Sequence, residues 1–192
     1  MFRYNYKIRE NTTDEELMHL ICIGNQLAFE TIYNRYFIKL VNFGKRLLFD
    51  DEILAEDIVQ EVFLKIIDNP ELFNKDKVFS TWVYSAVRNM CFNHTRNEQN
   101  RRRLRDENFQ QNESTLMHSD RDLQMLKTRI SEIFKTLSEK EKLIFVLRFE
   151  HNLSIKEIAN IAGIPEGSVK SGIYYLLKKV AIYLKESNYE YK

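Results

Sequence analysis

Apolar positions recur at three- and four-residue spacing along most of the chain, and that period predicts helices. Thr13-Asp14-Glu15-Glu16 is a capping-box pattern opening a short helix that Gly24 ends. Asn25 can cap a longer helix in which Phe29, Ile32, Tyr33, Tyr36, Leu40, Phe43 and Leu47 keep register. Asp50 or Asp51 starts a third, with Ala55, Ile58, Val59, Val62 and Ile66 as its core stripe. Its outer face carries Asp57, Gln60, Glu61, Leu64 and Asp68. A single exposed Leu is ordinary, yet Leu among carboxylates and Gln is also what a docking face looks like. Asn69-Pro70 ends this helix, and a polar loop leads to Ser80, whose hydroxyl can cap a fourth.

Set at 100° per residue, the fourth helix splits into two faces. Trp82, Val83, Ala86, Val87, Met90 and Cys91 form a half wide enough to be core. Tyr84, Ser85, Arg88, Asn89, Phe92 and Arg96 form the other. Two aromatics interleaved with arginines and an Asn differ from the Glu, Lys and Gln of an ordinary solvated face. Flat rings stack on unpaired bases at roughly 1–3 kcal/mol each, and Asn can read a base edge. The plain alternative is that Tyr84 and Phe92 pack against another helix. Arg101-Arg102-Arg103, extending the same helix, favours single-stranded nucleic acid.

From about Asn97 to Asp120 the period lapses: seven residues are Asn or Gln and only Leu104, Phe109, Leu116 and Met117 are large and apolar. A linker is expected over 104–122, between domains at 1–103 and 123–192. Periodicity resumes at Leu123 and runs through Ile130, Ile133, Phe134 and Leu137. Ser138–Glu141 and Ser154–Glu157 are two more capping boxes, the first opening a helix with Leu143, Ile144, Val146 and Leu147. Gly163 and Pro165 lead into a final helix reaching about Leu184. Small Ala159, turn Gly163 and buried Val169 have the spacing of a helix-turn-helix. With Val169 inward, Ile173, Leu176, Leu177 and Val180 turn inward, and Lys170, Ser171, Tyr174, Tyr175 and Lys178 point towards a major groove.

Composition narrows the class. With 44% hydrophobic residues in 192, the chain can bury two small cores, and 5 Gly with 2 Pro leave too little punctuation for strands. The fold class is therefore all-α. No apolar run approaches a membrane span and no signal peptide is seen, so a cytoplasmic protein without membrane insertion is expected. Cys22 and Cys91 read as reduced core thiols, and His19, His94, His118 and His151 lack ligand spacing, so no metal or cofactor is expected. Net charge is only +1, but it is unevenly laid down. Residues 50–76 hold nine acids against Lys65 and Lys75; residues 77–105 hold seven bases against Glu98. Adjacent blocks of opposite sign suit one surface for protein and one for nucleic acid, unless they neutralise each other across a helix pair.

AEDIVQEVFLKI, a short loop and FSTWVYSAVRNMCFNHTR together resemble the second conserved region of bacterial sigma factors of the extracytoplasmic-function class. The resemblance covers about Ala28 to Arg103. It implies that Asp57, Gln60, Glu61 and Leu64 face the clamp coiled coil of RNA polymerase core. It implies too that Asn74, Lys75, Asp76 and Lys77 form a loop capturing a flipped base, with Trp82, Arg88, Asn89 and Asn93 along the melted minus-10 strand. LSIKEIANIAGIPEGSVKSGIYYLLKKV resembles the fourth region of the same class, which reads duplex minus-35 DNA. Gly172 departs from it, standing where the family usually has Arg. A helix-interior Gly costs roughly 0.5–1 kcal/mol against Ala, so Gly172→Arg is expected to stabilise this domain and tighten its DNA contacts. The class commonly pairs with a membrane-bound anti-sigma factor, a further candidate partner.

The expectation is a non-enzymatic promoter-specificity subunit that binds core polymerase and both promoter elements. A ligand- or phosphorylation-controlled helix-turn-helix regulator acting without polymerase is the main alternative. A helical enzyme with a DNA-binding tail is weaker, because the first half lacks clustered His, Cys or paired inward carboxylates.

Overall fold

The computed structural model describes residues 8–9, 11–74, 77–105, 132–134 and 136–189, with backbone alone at 102–105 and 184–189. Every regular element among the described residues is helical. Contacts divide the chain into two compact units, Met1–Thr95 and Arg96–Lys192. Most of the expected linker at 104–122 lies outside the described residues, as does the stretch from Leu123 to Ile130.

The first unit contains α1 (Asp14–Cys22), α2 (Gln26–Leu47), α3 (Glu52–Asp68), a 3₁₀ turn (Pro70–Leu72) and the start of α4 (Phe79–Arg105). Local chemistry sets the boundaries. The Thr13 hydroxyl accepts from the Glu16 N–H while the Glu16 carboxylate accepts from the Thr13 N–H, and Gly24 leaves the helix at φ 80°. Asn25 Oδ1 accepts from Ala28 N–H at 3.0 Å, and Asp51 Oδ1 from Leu54 N–H at 3.0 Å. α2 and α3 form a hairpin whose turn puts Phe49 and Asp50 at positive φ. All five apolar residues expected in the α3 stripe are buried, and Phe63 joins them. Phe63 lies under a ridge of Phe29, Tyr33 and Phe37 on α2, with Tyr33 and Phe63 centroids 4.9 Å apart. The ridge is only half-buried; α2 buries Ile32, Leu40 and Phe43 as expected and adds Ala28, Val41 and Gly44. Cys91 is buried and its thiol is pushed up to about 12 by desolvation. Cys22, expected in the core, is exposed because it ends α1 beside the Gly24 turn.

The second unit contains α5 (Glu139–Phe145), a π turn (Val146–Glu150), α6 (Ile155–Ala162) and α7 (Glu166–Tyr189). Both expected capping boxes are present: Ser138 and Ser154 hydroxyls accept from Glu141 and Glu157 N–H, and those carboxylates accept in return. Leu143, Ile144, Val146, Leu147, Ile158, Ile161, Val169 and Leu176 make the core. Gly163 ends α6 left-handed at φ 68°, and the Ile164 N–H donates back to Ala159 O at 3.1 Å. That is the turn of a helix-turn-helix, with α7 in the recognition position. Ile173 and Val180 are half-buried, but Leu177 is 50% exposed and so does not join the inward stripe. Leu176 takes the core position, and its neighbour, 100° further round, points to solvent.

Gly172 is a close-approach glycine. A Cβ built there would stand 2.7 Å from Ile144 Cδ1, in a side chain only 1% exposed. The gain expected from a substituted Gly172 therefore meets an overlap with α5 that the sequence could not show.

Candidate nucleic-acid interface

The orientation of α4 decides which residues can meet DNA. Val83, Val87 and Cys91 are buried as expected, but Tyr84 is buried with them, 3% exposed. Its ring meets Phe43 edge-on at 5.1 Å. Tyr84 therefore leaves the aromatic-arginine face and belongs to the core. Trp82, placed in the core half by periodicity, is half-exposed on the opposite side, sharing a face with exposed Asn89, Asn93 and Arg96. The helix is rotated by roughly a quarter turn from the orientation its apolar count suggested. The face that remains polar carries Trp82, Asn89 and Asn93, three of the residues the resemblance named.

Trp82 is held as well as displayed. Phe73 and Phe79 are both buried, their centroids 5.5 Å apart, and Trp82 lies 5.8 Å from the first and 5.9 Å from the second. These two phenylalanines flank the loop of residues 74–78, so both of its feet are anchored in the core. Asn74 and Lys77 are exposed; Lys75 and Asp76 lie outside the described residues. Further along α4, Arg88 Nη2 donates to Asn89 Oδ1 at 2.6 Å, and its guanidinium lies 5.9 Å from the Phe92 ring. Partial burial lowers the Arg88 pKa, though guanidinium stays charged at neutral pH. Arg101 is exposed and paired with Glu98 at 3.2 Å; Arg102 and Arg103 are described only as backbone of α4.

The helix also starts two residues earlier than expected: α4 begins at Phe79, so Ser80 sits inside its first turn rather than capping it. The acceptor for the Phe79 N–H comes from elsewhere in the chain, Glu15 Oε1 at 3.0 Å.

On α3, Asp57, Gln60, Glu61 and Leu64 are exposed along one side, Leu64 at 57%. Glu61 pairs with Lys65 at 2.8 Å, and Ile53 and Ile67 extend the apolar content of the same side. On α7, Lys170, Ser171, Tyr174, Tyr175 and Lys178 are all exposed, the two tyrosines at 63% with rings 5.5 Å apart. The Ser171 hydroxyl donates to Gly167 O of the same helix at 3.0 Å. No helix among the described residues is long and apolar enough to cross a membrane.

Comparison with known proteins accords with this geometry. Sigma-70 region 2 matches residues 32–101 and sigma-70 region 4 matches residues 133–180. The ECF RNA polymerase sigma-E factor of Escherichia coli (strain K12) is 30% identical over 175 residues, covering 86% of this chain and 91% of that protein. The ECF RNA polymerase sigma factor SigW of Bacillus subtilis (strain 168) is 30% identical over 163 residues, covering 79% and 86%. Among solved structures, CnrH in complex with the cytosolic domain of CnrY is similar with a TM-score of 0.66 at 20% identity, covering 91% of this chain and 99% of that one. The sigma factor RpoE bound to the anti-sigma factor NepR from Bartonella quintana gives 0.65 at 22% identity, covering 82% and 96%. Matches to both regions, in order, and relatives aligned over most of their length place the chain in a family: it belongs to the ECF class of RNA polymerase sigma factors, which bind core polymerase and promoter DNA to initiate transcription.

Proposed function

We propose a division of labour among three helix faces. The α3 side bearing Asp57, Gln60, Glu61 and Leu64 docks on the clamp coiled coil of core polymerase. Residues 74–77 take a base flipped from the minus-10 element, while Trp82, Arg88, Asn89, Phe92, Asn93 and Arg96 line the opened strand, with Arg101–Arg103 along its phosphates. Lys170, Ser171, Tyr174, Tyr175 and Lys178 meet the minus-35 duplex. Residues 1–103 and 123–192 act as separate modules on a connection at 104–122. The protein works in the cytoplasm without catalysis of its own, and a membrane-bound anti-sigma factor is a partner of the same proposal.

One observation carries this reading. α4 buries Val83, Tyr84, Val87 and Cys91 and leaves Trp82, Asn89, Asn93 and Arg96 together on the other side. An indole beside two amides and a guanidinium offers stacking, base-edge hydrogen bonding and phosphate neutralisation within one helix face. Asn89→Ala and Phe92→Ala test it. Permanganate reactivity of promoter thymines should fall in both, with binding to core polymerase unchanged. Normal opening in both variants would assign strand contact elsewhere.

A further inference from the structure

The first N–H groups of any helix lack intrahelical acceptors, and α4 has no local remedy for one of them. Val78, the residue before its start, has no polar atom in its side chain. Instead the Glu15 carboxylate, 64 residues earlier, accepts from the Phe79 N–H at 3.0 Å. A carboxylate there also complements the positive end of the helix dipole. Its neighbour Asp14 accepts from the Tyr36 hydroxyl and from Arg35 Nη1, the latter at 2.7 Å. Burial, followed by the bond to Asp14, pushes the Tyr36 hydroxyl well above the usual tyrosine range, so it stays a donor. The Tyr36 ring lies edge-on to Phe79 at 5.4 Å. The 3₁₀ turn before the loop also packs on α1.

Two adjacent carboxylates in the first turn of α1 thus reach the same place, the start of α4 and the ring beneath it. α1 lies before residue 32, where the region 2 match begins. We propose that Glu15 is a positioning residue for promoter opening. By fixing where α4 starts, it sets the Phe79–Phe73–Trp82 cluster and hence the foot of the loop at 74–78. Glu15 touches no DNA; it acts through the Phe79 backbone. The proposal rests on the assignment of this loop and Trp82 to opening.

The test uses the full chain with core polymerase, on a promoter the wild type opens, as intact duplex and with a pre-melted minus-10 bubble. Three variants separate reach from charge. Glu15→Ala removes the acceptor, Glu15→Asp keeps charge but is one methylene short, and Glu15→Gln keeps an acceptor oxygen at full length. Ala and Asp should slow opening of the duplex about tenfold, the size expected for one charged hydrogen bond. The bubble template should recover most of that loss, core binding should stay at wild type, and Gln should restore most of the duplex rate. Equal loss on both templates, weakened core binding, or no loss at all in Asp and Ala would overturn the proposal. Should Ala fail to fold, the contrast between Asp and Gln decides alone. Wild-type opening of the same duplex by Trp82→Ala would instead count against the assignment of the loop and Trp82 to opening.

Discussion

The two helices proposed to face DNA are built differently. On α4 the presented side chains are restrained: Trp82 rests on Phe73 and Phe79, Arg88 is tied to Asn89 and lies by Phe92, and the helix start is pinned from α1. On α7, Lys170, Tyr174, Tyr175 and Lys178 stand exposed on a helix whose opposite side is the core. The difference suits the two tasks proposed for them. Opening DNA requires capturing bases that the duplex holds stacked, so ordering the receiving groups beforehand lowers the cost of capture. Reading an intact major groove requires a helix of the right diameter and side chains that adapt at its edge.

The sharpest separation is between the neighbours Tyr84 and Trp82. Tyr84→Ala should destabilise the first unit by roughly 3–5 kcal/mol in denaturant unfolding, as loss of a large buried ring does. Trp82→Ala should cost clearly less stability and lose promoter opening. The reverse pattern would return Trp82 to the core and Tyr84 to the DNA face.

Next in size is the proposed docking side of α3. Leu64→Arg or Gln60→Arg should weaken core binding by roughly 2 kcal/mol or more, the scale of an interface hot spot, while thermal unfolding stays near wild type. A parallel fall in melting temperature would show that the side is internal.

The recognition helix offers a smaller effect. Overpacking costs roughly 1–3 kcal/mol, against roughly 0.5–1 gained by replacing a helical Gly. Gly172→Ala should therefore destabilise the second unit, contrary to what the sequence led one to expect. Ile144→Val removes the Cδ1 atom that a new Cβ would meet. In that background Gly172→Ala should cost less or stabilise, and additivity of the two changes would show the contact to be irrelevant.

Two finer effects complete the contrast. Arg88→Ala should reduce the salt dependence of promoter binding by about one counterion if it meets one phosphate. In the second unit, the Ser138 N–H donating to Glu141 lowers that carboxylate's pKa, with Lys179 assisting. A lowered folded-state pKa contributes stability above the ordinary Glu value and loses it as pH falls through the lowered one. Glu141→Gln should flatten acid unfolding over that window.

What could be read beforehand follows the range of the interactions. The three capping boxes, the α3 stripe and the Ala159–Gly163–Val169 turn involve residues within a few turns, and each lies where the sequence indicated. Val83, Val87 and Cys91 fixed the α4 axis, but they fit a stripe flanked by Trp82 on one side or Tyr84 on the other. Phe43, 41 positions before Tyr84, decides between them. The Glu15 cap and the Ile144 contact with Gly172 are likewise distant in sequence, so no local pattern carries them.

The central claim is tested most directly by mixing the protein with core polymerase and genomic DNA and sequencing the transcript starts. The account predicts a limited set of starts sharing two upstream elements at fixed spacing, absent with core alone and lost with Leu64→Arg. Specific duplex binding without core, with no new starts in its presence, would contradict it.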